Sequence, residues 1–236
     1  SVKLTIKFSH TGRWATAADN NGDRVLTFVS GFETSGAHSC TLSALSGTLP
    51  SCISQINTAT DLVHGCIYDF QLSYQDFVGN PIGSTTNSVV EHDVATEEPV
   101  FVLPSKDRIK VAFALEFRLP ENATAGTVKI KIDTLTQTQD PVSTRTIVFD
   151  ANVAYETTYT FLMTNLSIAS VNVTGIQSVS PAVDLVHGVR YVMTIEYRDY
   201  LANAKVSTFS PESVITFDTY TEAVIVSAPP GQYTFK

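Results

Sequence analysis

Five histidines lie scattered at 10, 38, 64, 92 and 187, and two of them recur: His64 and His187 each stand fourth in the pentapeptide DLVHG, at 61–65 and again at 184–188. Histidine titrates near neutral pH and serves as a base or a metal ligand, but no catalytic partner accompanies either copy. A duplicated corner between strands accounts for the recurrence through local packing or hydrogen bonding. DNNGD at 19–23 sets Asp19, Asn21 and Asp23 at alternate positions, as a calcium loop does. Its glycine falls one place early for an EF-hand and no glutamate follows at the required distance, so the letters read as a turn. Asp76 with Asn80, and Asp199 with Asn203, read as turn-capping pairs in the same way. No Gly-x-Ser-x-Gly elbow, phosphate loop or dinucleotide fingerprint is present. The expectation is a non-enzymatic chain with no catalytic residue, no metal and no cofactor beyond N-linked glycans.

Three cysteines, Cys40, Cys52 and Cys66, all precede the second DLVHG, and the region that matches them later in the chain has none. They form no CxxC and carry no zinc signal. A Cys40–Cys52 disulfide closing the turn TLSALSGTLPS, with Cys66 buried and unpaired, is the favoured pairing; Cys40–Cys66 competes with it. Asn122 in NAT, Asn165 in NLS and Asn172 in NVT are N-glycosylation acceptors. Sequons with a disulfide predict a secreted glycoprotein, extracellular or on a cell surface.

The elements that would position these residues are strands. SVKLTIKF turns Val2, Leu4, Ile6 and Phe8 one way and Lys3, Thr5 and Lys7 the other; TVKIKID repeats this with Val128, Ile130 and Ile132. Such period-two alternation marks strands with one face on a core. The duplication extends well past the pentapeptide, because DLVHGCIYDFQLSYQDFVGN at 61–80 matches DLVHGVRYVMTIEYRDYLAN at 184–203. Tyr68 falls on Tyr191, Tyr74 on Tyr197, Asp76 on Asp199 and Asn80 on Asn203, which predicts two modules. The 236 residues are long enough for two cores, and 43% hydrophobic with 16% charged residues describes a folded chain. A net charge of −8 argues against a nucleic-acid groove or a polybasic membrane patch. Apolar stretches such as VAFALEF are too short to span a bilayer, so no membrane insertion is expected.

Leu62, Gly65 and Tyr68, and again Leu185, Gly188 and Tyr191, resemble the Leu-x-Pro-Gly-x-x-Tyr corner of the fibronectin type III family, with His64 and His187 where that family has proline. The resemblance implies an all-β protein of two tandem fibronectin III-like or immunoglobulin-like β-sandwich domains. It also implies that Tyr68 and Tyr191 are buried at equivalent corners, each hydroxyl bonded to nearby backbone. Alignment of Thr96 and Glu97 with Thr221 and Glu222 ends the first domain at 98, the second at 222, and leaves 223–236 as an extended carboxyl-terminal tail. PVFVLPSKDRIK then reads as a short, semi-rigid linker between the domains.

The two copies differ at their starts. Before TVKIKID the second has IKVAFALEFRLPENATAG, whose alternating apolar residues read as an edge strand; Ser1 aligns with Thr127, so the first copy lacks that strand. A vacant edge beside Val2, Leu4 and Ile6 is expected, with the segment carrying Val224, Val226, Tyr233 and Phe235 as its candidate occupant. Two explanations compete, a piece of a longer tandem-repeat polypeptide and strand donation between copies, and both point to a structural subunit of an extracellular filament with head-to-tail contacts. The alternatives are an adhesin or receptor ectodomain fragment that binds a carbohydrate or protein, and an accessory module of a carbohydrate-active enzyme. Trp14 is the candidate sugar platform.

Overall fold

The computed structural model describes residues 1–13, 15–42, 44–110, 112–135, 138–150, 158–169, 173–212 and 214–221. Their regular structure is all-β apart from two short 3-10 turns and a helical turn at Ala169. The chain divides into two compact units, Ser1–Ala95 and Thr96–Lys236.

In the first unit, β1 (Val2–Thr11), β2 (Arg24–Phe28), β3 (Ile53–Ile56), β4 (Cys66–Tyr74) and β5 (Gly83–Glu91) form one antiparallel sheet in the order β3-β2-β1-β4-β5. The alternation of β1 turns Ile6 into the core while Lys3 and Lys7 face water. One expectation needs correction here. β1 is paired with β2 on one side and β4 on the other, so no strand edge is vacant beside Val2, Leu4 and Ile6. Alternating residues report which face is buried; they say nothing of lateral neighbours.

The second unit contains β6 (Val100–Leu103), β7 (Arg108–Ile109), β8 (Phe113–Arg118), β9 (Lys129–Thr134), β10 (Thr144–Phe149), β11 (Thr158–Met163), β12 (Ile176–Ser180), β13 (Arg190–Tyr197), β14 (Val206–Phe209) and β15 (Ile215–Phe217). A larger sheet runs β12-β10-β9-β13-β15-β7, with β14 also on β13, and a three-stranded sheet runs β11-β8-β6. Side chains of both sheets share one core, where Phe117 of β8 meets Phe149 of β10 edge-on at 5.1 Å. The FALEF stretch is thus the central strand of the smaller sheet, not an edge strand, because β6 and β11 flank it. Nor is PVFVLPSKDRIK a linker: it supplies β6 and β7 to the second unit.

The units repeat one ladder in one register. Leu4 faces Leu72 and Ile6 faces Phe70, as Ile130 faces Ile195 and Ile132 faces Met193. Leu26 lies opposite Leu4, as Ile147 lies opposite Ile130. Phe28 pairs with Ile53, as Phe149 pairs with Ile176. The first unit therefore reproduces the β12-β10-β9-β13 part of the second unit's larger sheet, and its described residues form no counterpart to β6, β7, β8 and β11.

DLVHG recurs because each copy ties the same corner. Asp61 accepts from the amides of Leu45 and Ser46 at 2.6 and 2.9 Å, and Asp184 accepts from the Ser167 amide at 2.9 Å, so each pins the loop that crosses the sheet. Leu62 and Leu185 pack on their cores. His64 Nδ1 accepts the Val94 amide at 3.2 Å and His187 Nδ1 accepts the Thr219 amide at 3.0 Å, fastening the corner to the segment just after β5 or β15. Gly65 and Gly188 turn at φ of 72° and 76°, a left-handed conformation in which a Cβ is strained.

Candidate assembly site

Beneath each corner lies a buried trio that sequence reading missed. Tyr68 accepts the Val63 amide at 2.8 Å and donates to Asp19 Oδ2 at 2.6 Å, and Asp19 pairs with Arg24 at 2.6 Å. Tyr191 accepts the Val186 amide at 2.8 Å and donates to Asp140 Oδ2 at 2.7 Å, and Asp140 pairs with Arg145 at 2.8 Å. Each guanidinium also donates to two corner carbonyls, of Thr60 and Asp61 or of Val183 and Asp184. Burial opposes ionisation of Asp19, but the bonds from Arg24, Tyr68 and the Asn21 amide outweigh it and hold its carboxyl below the ordinary value. Burial and the neighbouring aspartate push both tyrosine hydroxyls well up. Every donor here has an acceptor, so the trio is a structural clamp whose groups are occupied, and the turn reading of DNNGD stands over the calcium one.

What distinguishes the units is the face beyond the clamp. Val128, Ile130, Ile195 and Tyr197 of the second unit are 2%, 0%, 0% and 0% exposed, in one core with Phe113, Leu115 and Phe117 of β8 and Phe161 and Met163 of β11. At the matching ladder positions of the first unit, Val2 and Leu4 are only partly buried, Leu72 is 39% exposed and Tyr74 is 56% exposed. Each large apolar side chain left uncovered forgoes about 1.5–3 kcal/mol of burial. The open end of this face is a groove of about 1010 Å³ lined by Val2, Phe28, Phe32, Leu72, Tyr74 and Phe77, with Asp76 and Cys40 on its wall. Among the described residues Phe28, the counterpart of Phe149, has no second-layer ring above it and stacks instead on Phe32 at 4.8 Å.

The expected Cys40–Cys52 disulfide is present, with Cys66 free and buried. Cys52, just before Ile53, stands where the second unit has Gly175, just before Ile176. Cys40 lies as far before Ser46 as Phe161 lies before Ser167, the two serines whose amides bond the corner aspartates. In the second unit the Phe161 ring lies over the glycine so closely that a Cβ would sit 2.9 Å from it. The first unit thus replaces an aromatic contact, anchored by β8, with a covalent bond that holds 37–42 against the sheet without a β8.

Both turns after β4 and β13 carry an exposed apolar pair, Phe77 with Val78 and Tyr200 with Leu201. Asp76 and Asp199 cap these turns as expected, each accepting from the amide and side chain of Asn80 or Asn203. Asn122 and Asn165 are exposed on the second unit. Asn172, Trp14 and the tail residues Val224, Val226, Tyr233 and Phe235 lie outside the described residues. No described helix is long and apolar enough to cross a membrane. No family model, curated protein or solved structure matches the chain.

Proposed function

We propose that the protein is a non-enzymatic structural subunit of an extracellular glycoprotein filament, built of two fibronectin III-like or immunoglobulin-like modules and joined head to tail. The observation that carries this reading is the first unit's sheet, whose positions Leu72 and Tyr74 are open while Ile195 and Tyr197, their ladder equivalents, are fully covered. A face that one copy of a module buries and the other leaves open is an interface by design of the fold, and a second chain covers it by supplying strands. A contact between unlike surfaces of identical chains propagates as a filament or closes as a ring. The Cys40–Cys52 bond is compatible with an oxidising compartment, and exposed Asn122 and Asn165 leave room for glycans.

Negative-stain imaging and sedimentation of the purified chain at neutral pH test this directly. Filaments or a concentration-dependent series of oligomers are expected; a monomer at the highest soluble concentration overturns the reading. The groove favours a second one, an adhesin or receptor fragment, since Phe32, Tyr74 and Phe77 also suit a protein or carbohydrate ligand. A chain that stays monomeric yet binds glycans or a cell surface supports that alternative.

A further inference from the structure

In the second unit the dipeptide Thr96–Glu97 closes the turn that follows β13. Thr96 Oγ1 donates to Asp199 Oδ2 at 2.8 Å and accepts from the Asp199 amide at 3.3 Å, while the Tyr197 hydroxyl donates to the Glu97 carbonyl at 2.7 Å. Thr96, Tyr197 and Asp199 are all buried as a result. The chain then runs on as β6, whose Phe101 enters the core.

The first unit carries the receiving half of this arrangement without the arriving half. Tyr74 and Asp76 occupy the places of Tyr197 and Asp199, and Asp76 makes the same bonds to its own turn. Among the described residues no group bonds the Tyr74 hydroxyl and no threonine reaches Asp76. Both residues stand on the wall of the open groove, beside Leu72 and Phe28.

The arriving half is written a second time in the sequence. Thr221–Glu222 repeats Thr96–Glu97, and IVSAP at 225–229 aligns with VFVLP at 100–104, sharing its proline and an apolar start. Thr221 is exposed. From 223 to 235 the sequence holds no charged residue, so an apolar groove receives it without burying an unpaired charge.

We propose that Thr221–Glu222 of one copy docks on the first unit of a second copy. The Thr221 hydroxyl donates to the Asp76 carboxylate, the Tyr74 hydroxyl donates to the Glu222 carbonyl, and Ile225 and Val226 follow into the groove beside Leu72 and Phe28. This rests on the self-association reading and names the residues that meet. It also defines the polarity of the assembly, since the donor dipeptide and its receptor belong to opposite units of the chain.

Sedimentation velocity over a concentration series tests it with full-length wild type, Thr221→Glu, Thr221→Lys and Tyr74→Phe. All three substitutions fall on exposed or largely exposed side chains, so the units stay folded. Glutamate facing Asp76 is expected to raise the concentration for half-maximal assembly about tenfold or more, whereas lysine leaves it within about threefold or lowers it in a salt-sensitive way. Tyr74→Phe should raise it about threefold or more, the effect of one lost hydrogen bond. Glutamate and lysine behaving alike at 221 overturns the docking while leaving self-association in place. A wild-type chain that never associates removes both.

Discussion

At the scale of residues, the clamp under each corner makes two chemical demands. A buried aspartate needs its arginine, and it needs the tyrosine hydroxyl to complete its bonding. Tyr191→Phe removes the donor to Asp140 and the acceptor of the Val186 amide together, and should destabilise the second unit by about 1.5–3 kcal/mol in a denaturant titration. Its counterpart Tyr68→Phe should act on the first unit alone. His92 makes a different demand. It stands where the second unit has Phe217, since the Gly65 amide donates to its carbonyl as the Gly188 amide donates to that of Phe217. Burial lowers its pKa below 6.5, against the pull of the Val63 backbone and of Asp61 and Asp93. A histidine whose folded pKa is depressed binds fewer protons folded than unfolded between that depressed pKa and the unfolded value of 6.5. Its contribution is intact above pH 6.5 and is lost as pH falls through the window beneath. The first unit should therefore lose stability on mild acidification, and His92→Phe should flatten that dependence; an unchanged slope would mean that another group titrates there. The tyrosine corner was legible because its letters recur at one spacing. Asp19 with Arg24 and Asp140 with Arg145 were not, because DNNGDR and DPVSTR share only their end residues, and nothing in either spacing signals that the pair is buried.

At the scale of elements, the first unit holds 37–42 in place by chemistry where the second uses packing. In the second unit β11 is paired to β8 and its Phe161 is seated on Gly175. Without a β8 the matching segment of the first unit has Cys40 bonded to Cys52, closing a sequence separation of 12 residues. A loop of this size restricts the unfolded chain by about 3 kcal/mol. Reduction, or Cys40→Ala with Cys52→Ala, should lower the midpoint of the first unit's unfolding and leave that of the cysteine-free second unit unchanged. Replacing the pair by Cys40→Phe with Cys52→Gly, which copies the second unit, should cost less than the alanine pair; an equal loss would show that the ring has nothing to pack on without a second layer. Sequence reading found the strands and the disulfide, yet placed the vacancy at an edge. The correction follows from β1 and β4: alternation at Val2, Leu4 and Ile6 identified the apolar face, but only the ladder shows that both strands already have neighbours on each side. The equivalence of Cys40 with Phe161 was hidden for another reason, since a covalent bond and an aromatic contact share no residue type.

At the scale of the whole molecule, the two units have unequal cores. Among the described residues, six buried apolar residues anchor the first and twenty-five the second. A domain's net stability is only about 5–15 kcal/mol, so a core reduced to one sheet face leaves the first unit the weaker partner. Anything that binds its folded state and not its unfolded state stabilises it by mass action, by about 2.7 kcal/mol when the partner stands at a hundred times its dissociation constant. Assembly and folding of the first unit are then linked: dilution that separates copies also weakens the unit that joins them. Hydrogen exchange read by mass spectrometry measures this. On raising the concentration from the monomeric to the assembled range, amides of β4 and β5 should slow by up to about a hundredfold, while those of β9 and β13 stay constant because their layer is already complete. The largest protection should fall on β4 from Phe70 to Tyr74, beneath the groove. Equal protection in both units would indicate a general effect of concentration, and protection confined to the second unit would place the contact elsewhere and detach assembly from the open face.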